Sequence, residues 1–406
     1  MNQELIRIVE NIARDKNINK ESIFIDLEEA MVSAARKHFG EPDCQITVRI
    51  DRTTGEVTAF KDDVQIDIRQ LGRIPAQTAK QIMIQKIRAD ERDSIFDEFS
   101  KRKGEIISGS VVRYEGGTLI VSLNHRTEAF MPKTEQIMGQ THRSGERVRC
   151  LILDVKETSN QVKIVLSRTH PDFIRRLFEL EVPEIAEGII EIRAMAREAG
   201  YRTKVAVVSF DEKVDPVGAC VGVRGSRIKN IIDELGGEKI DIVRWNESSQ
   251  VLITNALMPA NVSEIALCFE LGRATVVVDE DQLSLAIGKH GQNVRLAARL
   301  TGWDIDILTP NEYNLGIEQL TNCVKGVEGA GDTVVDKLIA LGVISVLDLE
   351  DVGAEPLINE LNIGEVLAGE LVAAAVEQSE RSAAESKQSQ AEDILQQQTE
   401  AADNGQ

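Results

Sequence analysis

Apolar positions along the chain change period several times, and each change marks an element boundary. Leu5, Ile8, Val9 and Ile12, then Ile23, Leu27, Met31 and Ala34, recur at helical spacing and predict two amphipathic helices. Cys44 to Ile50 and Glu56 to Phe60 concentrate β-formers around Thr53-Thr54-Gly55, a hairpin signal. From Pro75 to Lys103 the helical period returns, with Ile82, Ile87, Ile95 and Phe99 on one stripe and Pro75 suited to a first turn. An α/β head with a long connecting helix is therefore expected over 1–104, the helix's charged face being solvated surface. Over 105–170 the pattern becomes short strands: Ile106 to Tyr114, Leu119 to Leu123, Ala129 to Met131, Arg147 to Val155 and Gln161 to Ser167. Gly116-Gly117 and Ser159-Asn160 punctuate them, and five such strands suit a small barrel.

After Pro183 the pattern predicts a helix and a β-rich run from Lys204 to Phe210, followed by Asp215-Pro216-Val217-Gly218-Ala219-Cys220-Val221-Gly222-Val223-Arg224-Gly225-Ser226-Arg227-Ile228-Lys229. An apolar helix leads into Gly222-x-x-Gly225 and a basic one leaves it. Strands at Lys239 to Val243 and Gln250 to Thr254, and a closing helix within Val262 to Leu271, complete this expectation. A second copy follows, with strand Ala274 to Val278 and then Gln282 to Ile287 leading into Gly288-Lys289-His290-Gly291 and the helix begun by Gln292-Asn293-Val294-Arg295. Beyond Tyr313, Val324 to Ala330, Asp332 to Leu341, Val346 to Leu349 and Ile363 to Ala375 read as short helices joined by glycine hairpins. From about Gln378 Ser, Ala, Gln and Glu dominate, and a disordered tail is expected over 378–406.

A chain of 406 residues is too long for one ordinary domain. No run approaches a bilayer span and Met1-Asn2-Gln3-Glu4 lacks the features of a signal peptide, so a cytoplasmic protein without membrane contact is expected. The five cysteines, Cys44, Cys150, Cys220, Cys268 and Cys323, are far apart and form no C-x-x-C pair, which suits buried reduced thiols and no metal site. A net charge of −20 looks unsuited to a nucleic-acid partner until its distribution is read. Residues 316–406 hold 18 acidic and 4 basic side chains, net −14, which leaves −6 for everything before them. Between Lys101 and Asn314, 28 basic residues face 30 acidic ones, so basic faces there are local.

Glycines at both ends of a loop let backbone approach a sugar-phosphate chain, and amides at the next helix's N-terminus favour anions. One Gly-x-x-Gly is weak, since a loop needing positive φ explains it equally well; two in the same helix-loop-helix context are far stronger. Neither loop continues as G-K-S or G-K-T, and neither follows a strand as G-x-G-x-x-G, so nucleotide hydrolysis is not expected. No catalytic set stands out among so many carboxylates; no enzyme activity and no cofactor are expected. On the barrel, Tyr114, His125, Arg126, Phe130 and Lys133 are candidates for stacking bases and tracking phosphates, although Phe130 and Tyr114 read equally well as core.

The strand order of 105–170 resembles an S-one-type OB fold, and each Gly-x-x-Gly region resembles a type II KH domain, which clamps about four nucleotides. The glycine hairpins resemble a helix-hairpin-helix unit, here too acidic to welcome phosphate and better suited to a protein partner or an autoinhibitory role. The expected architecture is multidomain α+β: head and connecting helix 1–104, OB barrel 105–170, first KH domain 171–272, second KH domain 273–315, all-α helix-hairpin-helix unit 316–377 and tail. That order resembles the NusA family of bacterial transcription factors over nearly the whole chain. The most specific segments are Val182-Pro183-Glu184-Ile185 with Ile189-Ile190-Glu191-Ile192, Asp215 to Gly225, Glu234 to Val243, and Ala286 to Trp303.

The resemblance implies a monomeric elongation factor that binds the RNA polymerase core through its head and nascent single-stranded RNA through the barrel and KH tract. It implies modulation of pausing, intrinsic termination and antitermination, with other antitermination factors as partners of the acidic unit. Carried onto this sequence, the RNA contacts are Gly222, Arg224, Gly225, Arg227, Gly288, Lys289, His290, Gly291, Gln292, Asn293 and Arg295, and Lys229 adds charge beside the first loop on the residues' own reading. Lys289 and Arg295 would meet phosphate, and Gln292 and Asn293 base or sugar edges. The head is shorter than in many relatives, and one acidic unit stands where some carry two. RNA-processing enzymes of phosphorolytic or exonuclease type append the same modules, but the hundred or so residues before the barrel are too few for their catalytic core; a general or ribosome-bound RNA-binding protein is the third reading.

Overall fold

The computed structural model describes residues 2–16, 19–39, 45–62, 64–66, 73–124, 127–158 and 161–381. It divides into two compact units, Met1–Arg176 and Leu177–Gln406. The first opens with helices α1 (Asn2–Lys16) and α2 (Lys20–Phe39) and an antiparallel sheet of β1 (Ile46–Ile50), β2 (Val57–Lys61) and β3 (Val64–Ile66). Alternation along β1 buries Ile46, Val48 and Ile50; Val9, Ile23, Phe24 and Leu27 pack with Ile50, whereas Ile8 of the expected stripe is exposed. Helix α3 (Arg73–Lys101) follows, and its Phe99 and Ile95 join the core of the barrel; the side chain of Ile82 lies outside the described residues.

The barrel strands are β4 (Ile106–Glu115), β5 (Thr118–Asn124), β6 (Thr127–Met131), β7 (Arg147–Glu157) and β8 (Val162–Ser167). They close in the order β4-β5-β6-β8-β7, with β6 parallel to β8 and every other pair antiparallel, the topology of an OB fold. Closure removes the exposed edges that five short strands would otherwise carry. Lys103 Nζ to Asp154 at 2.8 Å and Arg176 Nε to the Gly104 carbonyl at 2.9 Å tie the barrel's ends to the flanking helices.

Beyond α4 (Pro171–Glu181), which the sequence reading missed, and the single turn α5 (Pro183–Ala186) come β9 (Ile190–Glu198), β10 (Arg202–Ser209), α6 (Pro216–Val221), α7 (Ser226–Glu234) and β11 (Lys239–Arg244). The same sequence of elements recurs as α8 (Ser249–Leu257), β12 (Glu264–Cys268), β13 (Arg273–Val277), α9 (Glu280–Ile287), α10 (Gln292–Thr301) and β14 (Asp304–Leu308). In each sheet the middle strand, β10 or β13, is antiparallel to the strand before it and parallel to the strand after the helices. Two expectations are corrected here. Gln250 to Thr254 lies in a helix, because Leu252, Ile253, Ala256 and Leu257 bury one helical face, and Val262 to Leu271 contains a strand, because both faces of β12 are covered.

The two sheets are covered in succession. Ala194, Ala196, Ala206 and Val243 of the first sheet share one core with Leu252, Leu296, Ala297 and Leu300 of α8 and α10, whose other neighbours, Ala274, Val276 and Ile305, belong to the second sheet. The opposite face of the second sheet, with Ala266, Val277 and Leu308, meets Tyr313, Ile317 and Ile344 of the C-terminal helices. Those helices are α11 (Pro310–Lys325), α12 (Asp332–Ala340), α13 (Val346–Val352), α14 (Ala354–Leu361) and α15, residues 365–381. Arg273 reaches Asp348 at 2.6 Å and Asp351 at 3.2 Å, fastening α13 to that face. Helix α15 runs past the expected start of the tail at Gln378, and residues 382–406 lie outside the described residues.

Candidate nucleic-acid interface

Each Gly-x-x-Gly segment forms a single 3-10 turn between two helices, α6 and α7 in the first copy, α9 and α10 in the second. Gly222 has φ 75, ψ 173 and Gly288 φ 73, ψ 175; Arg224 has φ 54, ψ 26 and His290 φ 54, ψ 31; Gly225 has φ 74, ψ 19 and Gly291 φ 70, ψ 15. The first glycine of each loop occupies a region that is essentially closed to other residues. A Cβ there would also stand 2.7 Å from Arg227 Cγ in the first loop and 2.7 Å from Asn293 Cβ in the second. Arg227 and Asn293 are equivalent, the second residue of the departing helix, so in both copies that helix closes directly over the loop.

Side chains around the loops fall into two groups. Arg224, Lys229, Lys289 and His290 are exposed and have no carboxylate partner among the described residues. Val223, at 82% exposure, projects from the tip of the first loop where Lys289 occupies the second. The remaining polar residues are engaged. Arg227 bridges the Glu184 carboxylate at 2.9 Å and the Ala219 carbonyl at 2.7 Å. Glu198, the last residue of β9, accepts from Gln292 Nε2 at 2.8 Å and Arg295 Nε at 2.6 Å, with Arg299 4.0 Å away. Arg295, more than any other group, holds the Glu198 carboxyl below the usual carboxylate range.

Asn293 corrects the sequence expectation. It is 1% exposed, and its Nδ2 donates to the carbonyls of Leu257, Leu285 and Ala286 at 3.1–3.3 Å. Its amide therefore ties three helices, α8, α9 and α10, beneath the loop instead of facing a base. Beneath the first loop, burial pushes the Cys220 thiol up to about 12. The acceptors Glu184 and Glu198 escaped sequence reasoning because their partners lie 43 and 97 residues away, where no periodicity links them.

On the barrel, Tyr114 is half exposed and its hydroxyl accepts from the His142 amide at 3.1 Å. Phe130 is half-buried on the outer surface, opposite Ile120 on β5 and Val165 on β8, while its neighbours Ala129 and Met131 point into the barrel core. Lys133 is exposed on the turn after β6. Arg126 and His125 lie outside the described residues. Tyr114 and Phe130 sit in different cross-strand rows, the first paired with Leu119 and the second with Ile120, so they form no single stacking pair.

Comparison with known proteins agrees with this arrangement. The models described as NusA-like first KH domain and NusA-like second KH domain match residues 168–245 and 249–315, and that of the NusA N-terminal domain matches 4–63 and 58–93. The protein named transcription termination/antitermination protein NusA from Halalkalibacterium halodurans is 39% identical over 77% of this chain and 90% of its own length. The protein of that name from Bacillus subtilis is 39% identical over 78% and 94%, and that from Rickettsia conorii 37% identical over 77% and 68%. With two KH folds bearing matching loops, an OB barrel and relatives aligned along most of their length, the chain belongs to the NusA family of transcription termination/antitermination proteins.

Proposed function

We propose that this protein is a transcription elongation factor that binds the RNA polymerase core through its head and nascent single-stranded RNA through its barrel and KH tract, modulating pausing, intrinsic termination and antitermination. The observation that carries the RNA reading is the pair of loops with matching dihedrals, borne by two sheets that share one hydrophobic core. A clamp of about four nucleotides at each loop, at a fixed separation, favours one strand laid across both. Arg224, Lys229, Lys289 and Arg295 contact phosphate, with the backbone of Gly222, Gly225, Gly288 and Gly291 close to the sugar-phosphate chain and His290 beside it. Gln292 and Arg227 contribute from engaged positions. On the barrel, Tyr114, Arg126, Phe130 and Lys133 are the proposed RNA contacts.

The domains we propose are the head with its connecting helix (1–104), the barrel (105–170), the first KH domain from 171 to the end of β11, the second from α8 to 315, and a C-terminal unit from 316. The KH boundary falls before Ser249 instead of after 272, since α8 and β12 complete the second sheet and its helical layer. The C-terminal unit, whose charged residues are mostly Asp and Glu, suits a protein partner such as another antitermination factor better than RNA. A paused-complex assay with core polymerase tests the whole reading. Full-length chain should alter pause lifetime and the Lys289→Asp, His290→Asp double variant should do so less; a chain that neither co-elutes with polymerase nor changes pausing leaves only the RNA-binding reading.

A further inference from the structure

Helix α10 leaves the second loop and packs across β9 and β10 of the first sheet, where Ala194, Ala196 and Ala206 allow close approach. At the end of that contact Glu198 meets three residues spaced along one side of α10: Gln292, Arg295 and Arg299. Its side chain is only 19% exposed, and a cation or amide donor meets it on successive turns, so it is not free to swing away. Arg295 Nη1 also reaches back to the His290 carbonyl at 3.4 Å, which places its guanidinium beside the loop backbone. Its equivalent in the first copy, seven residues after the first glycine, is Lys229, which is exposed and has no carboxylate partner among the described residues.

We propose that Glu198 is a specificity-determining counter-charge: lent by the first KH domain to the second loop, it lowers that loop's attraction for bare phosphate, so that RNA held there depends more on its bases. The proposal rests on the RNA-binding reading above. A phosphate approaching Arg295 competes with a carboxylate already 2.6 Å from Nε, whereas one approaching Arg224 or Lys229 meets an unopposed cation. Backbone contacts carry affinity without sequence information, so discounting them at one loop raises the share of binding that base contacts decide. The first loop then anchors the strand and the second samples its sequence. Glu198 acts through Arg295 and is a positioning residue in this sense, without contacting RNA itself.

The test is fluorescence-anisotropy titration of full-length chain with a uridine homopolymer and a mixed-sequence single strand over a range of salt. Glu198→Gln keeps an oxygen acceptor and removes the charge. One extra effective cation steepens the salt dependence by about 0.7 in logarithmic slope. If electrostatics fades near about 1 M salt, homopolymer binding should tighten roughly eightfold at about 50 mM and threefold at about 200 mM. Discrimination between the two strands should narrow. Glu198→Asp should keep the wild-type slope, and Glu198→Gln should gain nothing in an Arg295→Gln background. Independently of whether Glu198→Gln folds well, Arg295→Gln should reduce the slope less than Lys229→Gln does. An unchanged or weakened homopolymer affinity in Glu198→Gln, the same gain without Arg295, or equal effects of the two cation variants would overturn the proposal. Failure of the wild-type chain to bind single-stranded RNA overturns both this inference and the reading beneath it. Wild-type binding that Lys289→Asp, His290→Asp weakens, with no slope change in Glu198→Gln, overturns the counter-charge alone.

Discussion

At the scale of single residues, the two glycines of each loop do different work. Gly288 is required twice, by its backbone conformation and by the 2.7 Å that would separate a Cβ from Asn293, whereas Gly291 meets nothing within 4 Å and is required only by φ +70. Gly288→Ala should therefore destabilise the KH body by about 3 kcal/mol, and Gly291→Ala by about 1 kcal/mol. Urea unfolding followed by tryptophan fluorescence reads the difference, and equal shifts would refute the distinction. Asn293→Asp removes both N–H donors shared among three carbonyls and sets a carboxylate against those carbonyls, at a cost of about 3 kcal/mol or more. The spacing of the glycines was legible in the sequence. The burial of Asn293 was not, because a polar residue on an otherwise basic helix gives no sign of which side it faces until α8 is packed against it.

Among the elements, the barrel strands and both loop-flanking helix pairs were legible, since each had a clean period or a glycine boundary. The segment between the two copies departs from its sequence pattern for two physical reasons. Ser249–Leu257 carries a β-branched run, yet it buries Leu252, Ile253, Ala256 and Leu257 against two sheets, and packing outweighs propensity. Glu264–Cys268 faces helices with Ile265 and Leu267 and the C-terminal unit with Ala266 and Cys268, so its apolar run lacks the alternation of a half-exposed strand. The close approach of α10 to the first sheet depends on its alanines. Ala196→Leu should overpack that contact by about 1–3 kcal/mol. It should also weaken binding of a strand long enough to span both loops more than binding of a tetranucleotide; an equal effect on both would argue against a fixed separation of the loops.

Among the described residues of the second compact unit, the acidic excess is arranged so that it does not lie over the loops. The C-terminal helices cover the face of the second sheet opposite α9 and α10, and Arg273 holds Asp348, which is buried at the start of α13, together with Asp351. Masking of the second loop by direct contact with this unit is therefore not the arrangement among the described residues. Arg273→Met should strand the Asp348 carboxylate at a cost of about 3 kcal/mol. Limited proteolysis should then cut within α12 to α14 sooner while single-stranded RNA affinity at fixed salt stays the same; a change in affinity without earlier cleavage would contradict this placement. Charge distribution made the acidity of 316–406 legible from the sequence, but the docking of α11 to α13 was not, since it joins apolar contacts to an arginine 75 residues from its main partner. No helix among the described residues is long and apolar enough to cross a membrane.

The central claim is that both loops hold one RNA strand, and the most direct measurement is equilibrium binding of full-length chain to a single-stranded RNA of about ten nucleotides. Asp tolerates the left-handed conformation of Arg224 and His290, so Val223→Asp with Arg224→Asp, and Lys289→Asp with His290→Asp, test each loop without demanding a new backbone. Each pair is expected to weaken binding about tenfold or more, and the two pairs together to abolish it. Undiminished binding by the quadruple variant would mean that the RNA lies elsewhere and that the matching loops serve only the fold.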